Sequence, residues 1–275
     1  MTPDWQLPPG ADRGLWDYVS SRRVADEYDA ALAGTHLLDA DLTFADRHFP
    51  TPGSVIDLGC GTGRLLMRLA PRGFDCLGVD LSEAMLDVLR EKAAAANLPV
   101  ATLKANLVEL DGVPPASRDY AACLFSTLGM IRGPENRAAF LRHVRRILKP
   151  GGVFVVHAHN VRYKLGLGLG RRGADPGDRT MPQHRGGAPL TLHHYTKREL
   201  LGELTAAGFT LKELKPVSAG PAGALTMPWL LPGIRAYGYL AAAVKRSNET
   251  IRAAQVKCPQ LNGMSKGARG GRFSA

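Results

Sequence analysis

The residues Val55-Ile56-Asp57-Leu58-Gly59-Cys60-Gly61-Thr62-Gly63 place three glycines at alternate positions, directly after a short apolar run that carries an acid. Glycines at this spacing let the backbone take positive φ and bring its N–H groups against a ligand with no Cβ in the way. A second acid, Asp80, ends the next apolar run at 75–80. A carboxylate there can accept hydrogen bonds from both hydroxyls of a ribose. An acid, a glycine loop and a second acid in this order point to a nucleotide-like ligand, and the G-x-G-x-G spacing disfavours a nicotinamide dinucleotide.

These groups need a scaffold, and the pattern supplies one. A strand over 54–59 leads into a helix near Gly63, and a strand over 75–80 leads into a helix opening at Ser82, a residue suited to an N-cap. Strands follow over 100–106 and 119–126. The next helix starts near Pro134, carries Phe140, Leu141, Val144, Ile147 and Leu148 on one face, and stops before Lys149-Pro150-Gly151-Gly152. The strand over 152–159 is apolar on both faces, as a buried parallel strand should be. Strands alternating with helices give an α/β fold with a doubly wound, mostly parallel sheet. Ligands of such sheets sit beyond the carboxyl ends of the strands.

The flanks read differently. Residues 15–49 have helical periodicity, and 1–50 are expected to form a helical cap. Residues 160–189 are rich in Gly and Arg without a period and are expected to be a loop insertion, with a lid over the acceptor pocket as one role. A strand is expected at 190–195, a capping box at Thr196-Lys197-Arg198-Glu199 starts a helix ending at Gly208, and strands follow over 209–218 and 236–244. The ligand-binding domain thus spans 51–244. Residues 245–275 are polar, basic and glycine-rich and are expected to be a flexible tail.

The stretch 55–63 resembles the signature loop of class I S-adenosylmethionine-dependent methyltransferases. Residues 78–86 resemble the family's second motif and 103–110 its third, and Leu148-Lys149-Pro150-Gly151-Gly152 is also typical. The resemblance covers 50–160 well and 190–244 more loosely. It implies a Rossmann-like sheet of seven strands, the last antiparallel, and S-adenosyl-L-methionine as cofactor. It also implies roles for single residues. Gly59, Cys60, Gly61 and Gly63 form the loop against which the methionine portion lies. Asp57 orients its amino group, Asp80 binds the ribose, and Leu81 flanks the adenine. The family's third motif has Asp before an apolar residue; here Asn106-Leu107 stand, and the Asn106 side-chain oxygen can still accept from the adenine amino group. Phe125 and Ser126 fall where the family lines the methyl-transfer site. Tyr28 falls on the segment that often covers the cofactor.

The resemblance implies a reaction that asks little of the protein beyond orientation, and a base only where the acceptor must lose a proton. The candidate bases are His157, His159 and Asn160, which end the fifth strand on the ligand edge, and His193 and His194, with Tyr163 and Tyr195 nearby. Several acceptor signatures are absent. No (D/N/S)PP(Y/F) tetrapeptide ends the fourth strand, no Pro-Cys nucleophile is present, and no acid follows that strand closely, so no metal is expected. The expected acceptor is O, N or C of a small molecule. An RNA methyltransferase using the basic insertion and tail, and a non-catalytic cofactor-binding module, stay open.

Charge and composition set the remaining bounds. The net charge of +10 over 275 residues is uneven: 160–190 carry six Lys/Arg against two acids and 245–275 carry seven against one, so the rest is neutral. Any attraction to anions such as RNA would reside in those two segments. Four cysteines without metal-type spacing read as reduced thiols of a cytoplasmic protein. No apolar run reaches the ~18 residues that span a bilayer, and the polar N-terminus lacks a secretory pattern. A soluble protein with no membrane segment is expected.

Overall fold

The computed structural model describes residues 2–167, 171–173, 175–181, 189–220, 225–227 and 229–246. Three helices open the chain: α1 (Arg13–Val19), α2 (Arg22–Leu32) and α3 (His36–His48). Asp12 and Ser21 cap the first two by accepting from Leu15 and Val24 backbone N–H, which divides a segment whose periodicity suggested one continuous helical run. Then follow β1 (Ser54–Leu58), α4 (Arg64–Leu69), β2 (Asp75–Asp80), α5 (Glu83–Ala95), β3 (Val100–Lys104), β4 (Arg118–Cys123), α6 (Thr127–Met130), α7 (Pro134–Ile147) and β5 (Leu148–His159). The chain continues with β6 (Arg171–Arg172), β7 (Asp178–Met181), β8 (Leu190–His193), α8 (Lys197–Ala206), β9 (Phe209–Val217), α9 (Pro232–Arg235) and β10 (Gly238–Lys245).

The main sheet has seven strands in the order β3-β2-β1-β4-β5-β10-β9. All neighbours are parallel except β10, which runs antiparallel to both β5 and β9. The seven-stranded, mostly parallel sheet read from the sequence is therefore the one observed. The order reverses between β1 and β4, which opens a crevice beyond their carboxyl ends.

Period-two alternation sends neighbouring residues of each strand to opposite apolar layers. Ile56, Val79, Phe154 and Val156 pack with Phe140, Leu141 and Val144 of α7. Val55, Cys76 and Val155 pack with Leu65 and Leu66 of α4 and Leu86 and Leu89 of α5. The second layer also takes Phe44 and Phe49, so α3 shares the core of the sheet. Burying each such side chain stabilises the fold by roughly 1.5–3 kcal/mol.

Three expectations need correction. The insertion 160–189 holds β6 and β7, which with β8 make a second, three-stranded antiparallel sheet. Contacts distant in sequence hold it: His193 Nδ1 meets Asp178 Oδ1 at 2.9 Å, His193 Nε2 meets Glu199 Oε1 at 2.8 Å, and Arg132 pairs with Asp178 at 3.1 Å. Strand-like residues 190–195 therefore belong partly to this small sheet. The fourth strand ends at Cys123 rather than at 126, because Phe125 and Ser126 take left-handed backbone angles, φ 51° and 64°. Lys245, placed in the tail, is the last residue of β10 and pairs with Phe209. The tail beyond Arg246 lies outside the described residues. Among the described residues no helix is long and apolar enough to cross a membrane.

Candidate active site

The glycine loop leaves β1 and turns into α4 with Gly59, Gly61 and Gly63 at φ 77°, 53° and 79°. An L side chain would be strained at each of these angles. A Cβ on Gly59 would stand 2.3 Å from Thr127 Cγ2, and one on Gly63 2.2 Å from Leu89 Cδ1. Close packing against α6 and α5 thus requires two of the three glycines. Gly59 and Cys60 N–H both donate to Val79 O, at 2.8 and 3.0 Å, which stitches the loop to β2. The Cys60 thiol is buried, and burial pushes its pKa well up.

Asp80 ends β2 with its carboxylate against the loop. Gly61 N–H donates to Oδ2 and Ser82 N–H to Oδ1, both at 2.8 Å. Burial raises the carboxyl pKa, and these backbone bonds oppose the rise. Each oxygen accepts one backbone hydrogen bond and keeps capacity for another, so both can face a vicinal diol.

Beside it opens a cleft of about 740 Å3, counted to its mouth, lined by Tyr18, Tyr28, Asp80, Leu81, Asn106 and Leu107 among others. A second cavity of about 460 Å3 is lined by Asp41, Asp57, Arg64, Leu124 and Phe125 among others. The two share Tyr28, Gly59, Thr127 and Met130 as walls, so they form one trough along the carboxyl edge of the sheet. Helices α1 and α2 roof its first half, and α3 closes the second.

Asp57 is buried and pushed up to about 7, first by desolvation; Arg64 opposes the rise, and the Asp80 and Asp41 carboxylates add to it. Arg64 lies with its guanidinium carbon 5.6 Å from the Phe125 ring centre and 5.9 Å from that of Tyr28. The second cavity thus presents two buried acids and one guanidinium. That set complements a ligand carrying both an ammonium and a carboxylate.

Asn106 borders the first cleft with its groups engaged. Its Oδ1 accepts from Val108 N–H at 3.2 Å, while Nδ2 donates to Pro9 O at 2.9 Å and to Glu109 Oε2 at 3.2 Å. The left-handed turn at Phe125 and Ser126 sends the two side chains apart. Phe125 enters the wall of the second cavity. Ser126 is buried, and its Oγ accepts from His159 N–H at 3.3 Å, so it borders neither cavity.

The histidines form a buried group behind Phe125. His157 Nδ1 lies 2.8 Å from Asp41 Oδ1, a contact whose angles fall short of a hydrogen bond. His159 is 5% exposed, and among the described residues neither of its ring nitrogens has a hydrogen-bond partner. Burial, with His157 and His194 nearby, drives its pKa well down, so the imidazole is neutral. His194 is pushed down to about 4, mainly by burial, and its Nδ1 lies 3.2 Å from Leu192 O. His193 is committed to Asp178 and Glu199. Asn160 donates to Gly233 O and Ala236 O. Tyr195 is fully buried in the core.

Sequence reasoning missed Asp41, Arg64, Tyr18 and Thr127. Asp41 was findable: Leu37, Leu38, Asp41, Phe44, Ala45 and His48 repeat at three and four along α3, which puts an acid on a buried stripe. Tyr18 and Thr127 carry no such signal, because tertiary packing alone brings them to the trough.

Residues 55–152 match the family model described as a methyltransferase domain. The chain is 32% identical over 111 residues to YqeM of Bacillus subtilis, a protein named as a methyltransferase, covering 40% of this chain and 44% of that protein. It is 31% identical over 112 residues to the ubiquinone biosynthesis O-methyltransferase of Methylococcus capsulatus, covering 40% and 46%. The chain spans less than half the length of the first curated relatives it matches. Among solved structures, the 1,6-didemethyltoxoflavin-N1-methyltransferase of Burkholderia thailandensis, with 1,6-didemethyltoxoflavin and S-adenosylhomocysteine bound, superposes with a TM-score of 0.61 at 20% identity, over 88% of this chain and 93% of that one.

Proposed function

We propose that this chain, whose residues 55–152 match a methyltransferase domain, is a class I S-adenosylmethionine-dependent methyltransferase that binds S-adenosylmethionine along the trough and transfers its methyl group to O, N or C of a small-molecule acceptor. The observation that carries the reading is the order of donors and acceptors along one continuous trough. Asp80 can take the two ribose hydroxyls, and the first cleft, walled by Leu81 and Leu107, has the apolar sides an adenine needs. The second cavity can take the amino-acid end, with Asp57 and Asp41 toward the ammonium and Arg64 toward the carboxylate. The residues present thus fit the group. In this reading 1–50 act as a cap, the methyltransferase domain runs from 51 to the end of β10 at Lys245, and the residues after it act as a tail.

When bound, the cofactor supplies a methyl group already activated by the sulfonium charge. The chain's own residues then do three things. The glycine loop and Asp80 fix the ligand against backbone, so its reactive end has one orientation. Tyr18, Tyr28 and α3 cover it and exclude water. Phe125, held in its turn by a 3.0 Å bond from its N–H to Asp41 Oδ2, forms the wall across which an acceptor would approach. His157 and His159 stand behind that wall. His159, with two unengaged ring nitrogens, is the better placed to hold an acceptor proton, and His157 positions it from the Asp41 side.

A trough recessed between the cap helices and the sheet edge, with apolar walls such as Leu15, Val19, Leu81 and Leu107, supports a small acceptor over RNA. Thermal unfolding with S-adenosylhomocysteine and with NADH tests the reading. Stabilisation by the first alone is expected; stabilisation by NADH alone, or by neither, would overturn it.

A further inference from the structure

The surface changes character just beyond the end of β5. There the 3-10 turn Tyr163–Gly166 packs on α9. On these two touching segments and the residues beside them, Leu165, Leu167, Met227, Trp229, Leu230 and Leu231 are all exposed, Trp229 by 75% and Leu165 and Leu167 by 72% each. None of them lines either cavity of the trough. Six large apolar side chains left in solvent side by side form a patch of the kind that marks a contact surface.

The backbone under the patch is both strained and self-sufficient. Lys164, Leu165, Met227 and Leu231 take φ between 44° and 58°, left-handed angles that are costly for a residue with a Cβ and that concentrate at functional sites. Burial does not repay that cost, because Leu165, Met227 and Leu231 are exposed. Arg235 donates from Nη1 to Met227 O and Leu230 O at 3.1 and 3.0 Å, and from Nη2 to Thr226 O at 2.9 Å. Leu231 O accepts from Ile234 and Arg235 N–H at 3.1 and 3.2 Å. Asn160 ties the end of β5 to the same unit through Gly233 O and Ala236 O. These carbonyls need no water, which is the condition for irregular backbone to enter a water-poor medium. The charge of these segments has one sign. Residues 160–174 and 214–248 contain no Asp or Glu. Arg162 and Lys164 stand exposed beside Leu165, and Arg235 sits in the turn itself.

We propose that this patch docks the protein on the surface of an anionic lipid bilayer. Trp229 and the four exposed leucines enter the boundary between headgroups and acyl chains, while Arg162, Lys164 and Arg235 meet lipid phosphates. Tryptophan favours that boundary because its ring is largely apolar and its N–H stays wet. Basic side chains near an anionic surface add an attraction that salt weakens. Apolar area and positive charge together set the strength of such an attachment, and it needs no spanning helix. A protein partner fits less well, since it would draw on backbone hydrogen bonds at the contact and here Arg235 has already taken them. The patch lies where β5 ends and β10 begins, with His159 paired to Gly238, on the same edge of the sheet as the trough. The docking does not depend on what the trough binds.

The test uses the full chain with vesicles of phosphatidylcholine alone or mixed equally with phosphatidylglycerol, read by flotation and by tryptophan emission. The chain is expected to bind the anionic vesicles at least about tenfold more strongly than the neutral ones, and less strongly in high salt. Trp229→Ser and Leu165→Ser, both at exposed positions, should weaken vesicle binding while leaving S-adenosylhomocysteine affinity and the melting temperature unchanged. The blue shift of emission on binding should vanish in Trp229→Ser. Arg162→Glu with Lys164→Glu should abolish the preference for anionic vesicles. Absence of flotation would overturn the proposal. So would patch variants that float like the parent, which would assign the binding to the basic residues 245–275, and a dimer in size-exclusion chromatography that Trp229→Ser dissociates, because a second copy would then cover the patch. Failure of S-adenosylhomocysteine to bind would instead count against the methyltransferase reading and leave the vesicle result standing.

Discussion

Asp57 is a buried acid whose ionised form costs the fold stability. Its pKa in the fold, about 7, lies above the ordinary 3.8, so folding favours the protonated acid. That contribution is fully present below 3.8 and is lost as pH rises through about 7. Near pH 8 the isosteric Asp57→Asn should therefore unfold later than the parent, by about 1–3 kcal/mol in urea melts. The same change should weaken S-adenosylhomocysteine binding, and parent affinity should fall about tenfold from near pH 8 to near pH 6 as the carboxylate protonates. A flat pH profile would detach Asp57 from the ligand's ammonium. If Asp80 accepts from both ribose hydroxyls as proposed, Asp80→Ala should cost about 2–4 kcal/mol of affinity, read by calorimetry, while the melt still shows one folded transition. That Asp57 and Asp80 would line one trough was legible in the sequence, because each sits at a fixed offset from a strand end. Ser126 misled, since a left-handed turn after β4, which its sequence does not announce, rotated its hydroxyl onto His159 N–H. Asn106 matched a motif position, yet its amide is engaged by Glu109 within the motif and by Pro9 from far outside it.

At the level of elements, the glycine loop is the piece whose geometry is least negotiable. Gly63→Ala would place a methyl group 2.2 Å from Leu89 Cδ1 at a φ of 79°. A loss of about 2–4 kcal/mol in stability is expected, combining strain with overpacking. Gly61→Ala, whose Cβ would meet only the Tyr28 ring at 3.5 Å, should cost less stability but more ligand affinity. Parallel urea melts and titrations separate the two. The strands and helices of 54–159 were readable because local pattern and fold agree: buried runs for strands, a Ser82 cap, Pro134 at a helix start. The small sheet β6-β7-β8 was not readable. Its strands are two to four residues long, and what fixes them is an ion cluster joining Arg132 of the α6–α7 connection, Asp178 of β7, His193 of β8 and Glu199 of α8. No local window contains those partners together.

The whole molecule places the trough between a shared core below and the cap helices above. Because α1 and α2 contribute Leu15, Tyr18, Val19 and Tyr28 to its lining, ligand binding should slow amide hydrogen exchange across Arg13–Leu32. The small sheet, which lines neither cavity, should exchange alike with and without S-adenosylhomocysteine. Protection of the small sheet alone would move the site away from the trough. The excess positive charge is carried by residues 160–190 and 245–275, and a field of that sign attracts anions at long range.

The most direct test of this account is a calorimetric titration of S-adenosylhomocysteine into the full chain and into Asp80→Ala. Binding at micromolar affinity or tighter is expected for the parent, with one site, weakened about 30-fold or more by the substitution. No heat and no thermal stabilisation at millimolar ligand, or equal affinity of the two proteins, would contradict the placing of the cofactor in this trough.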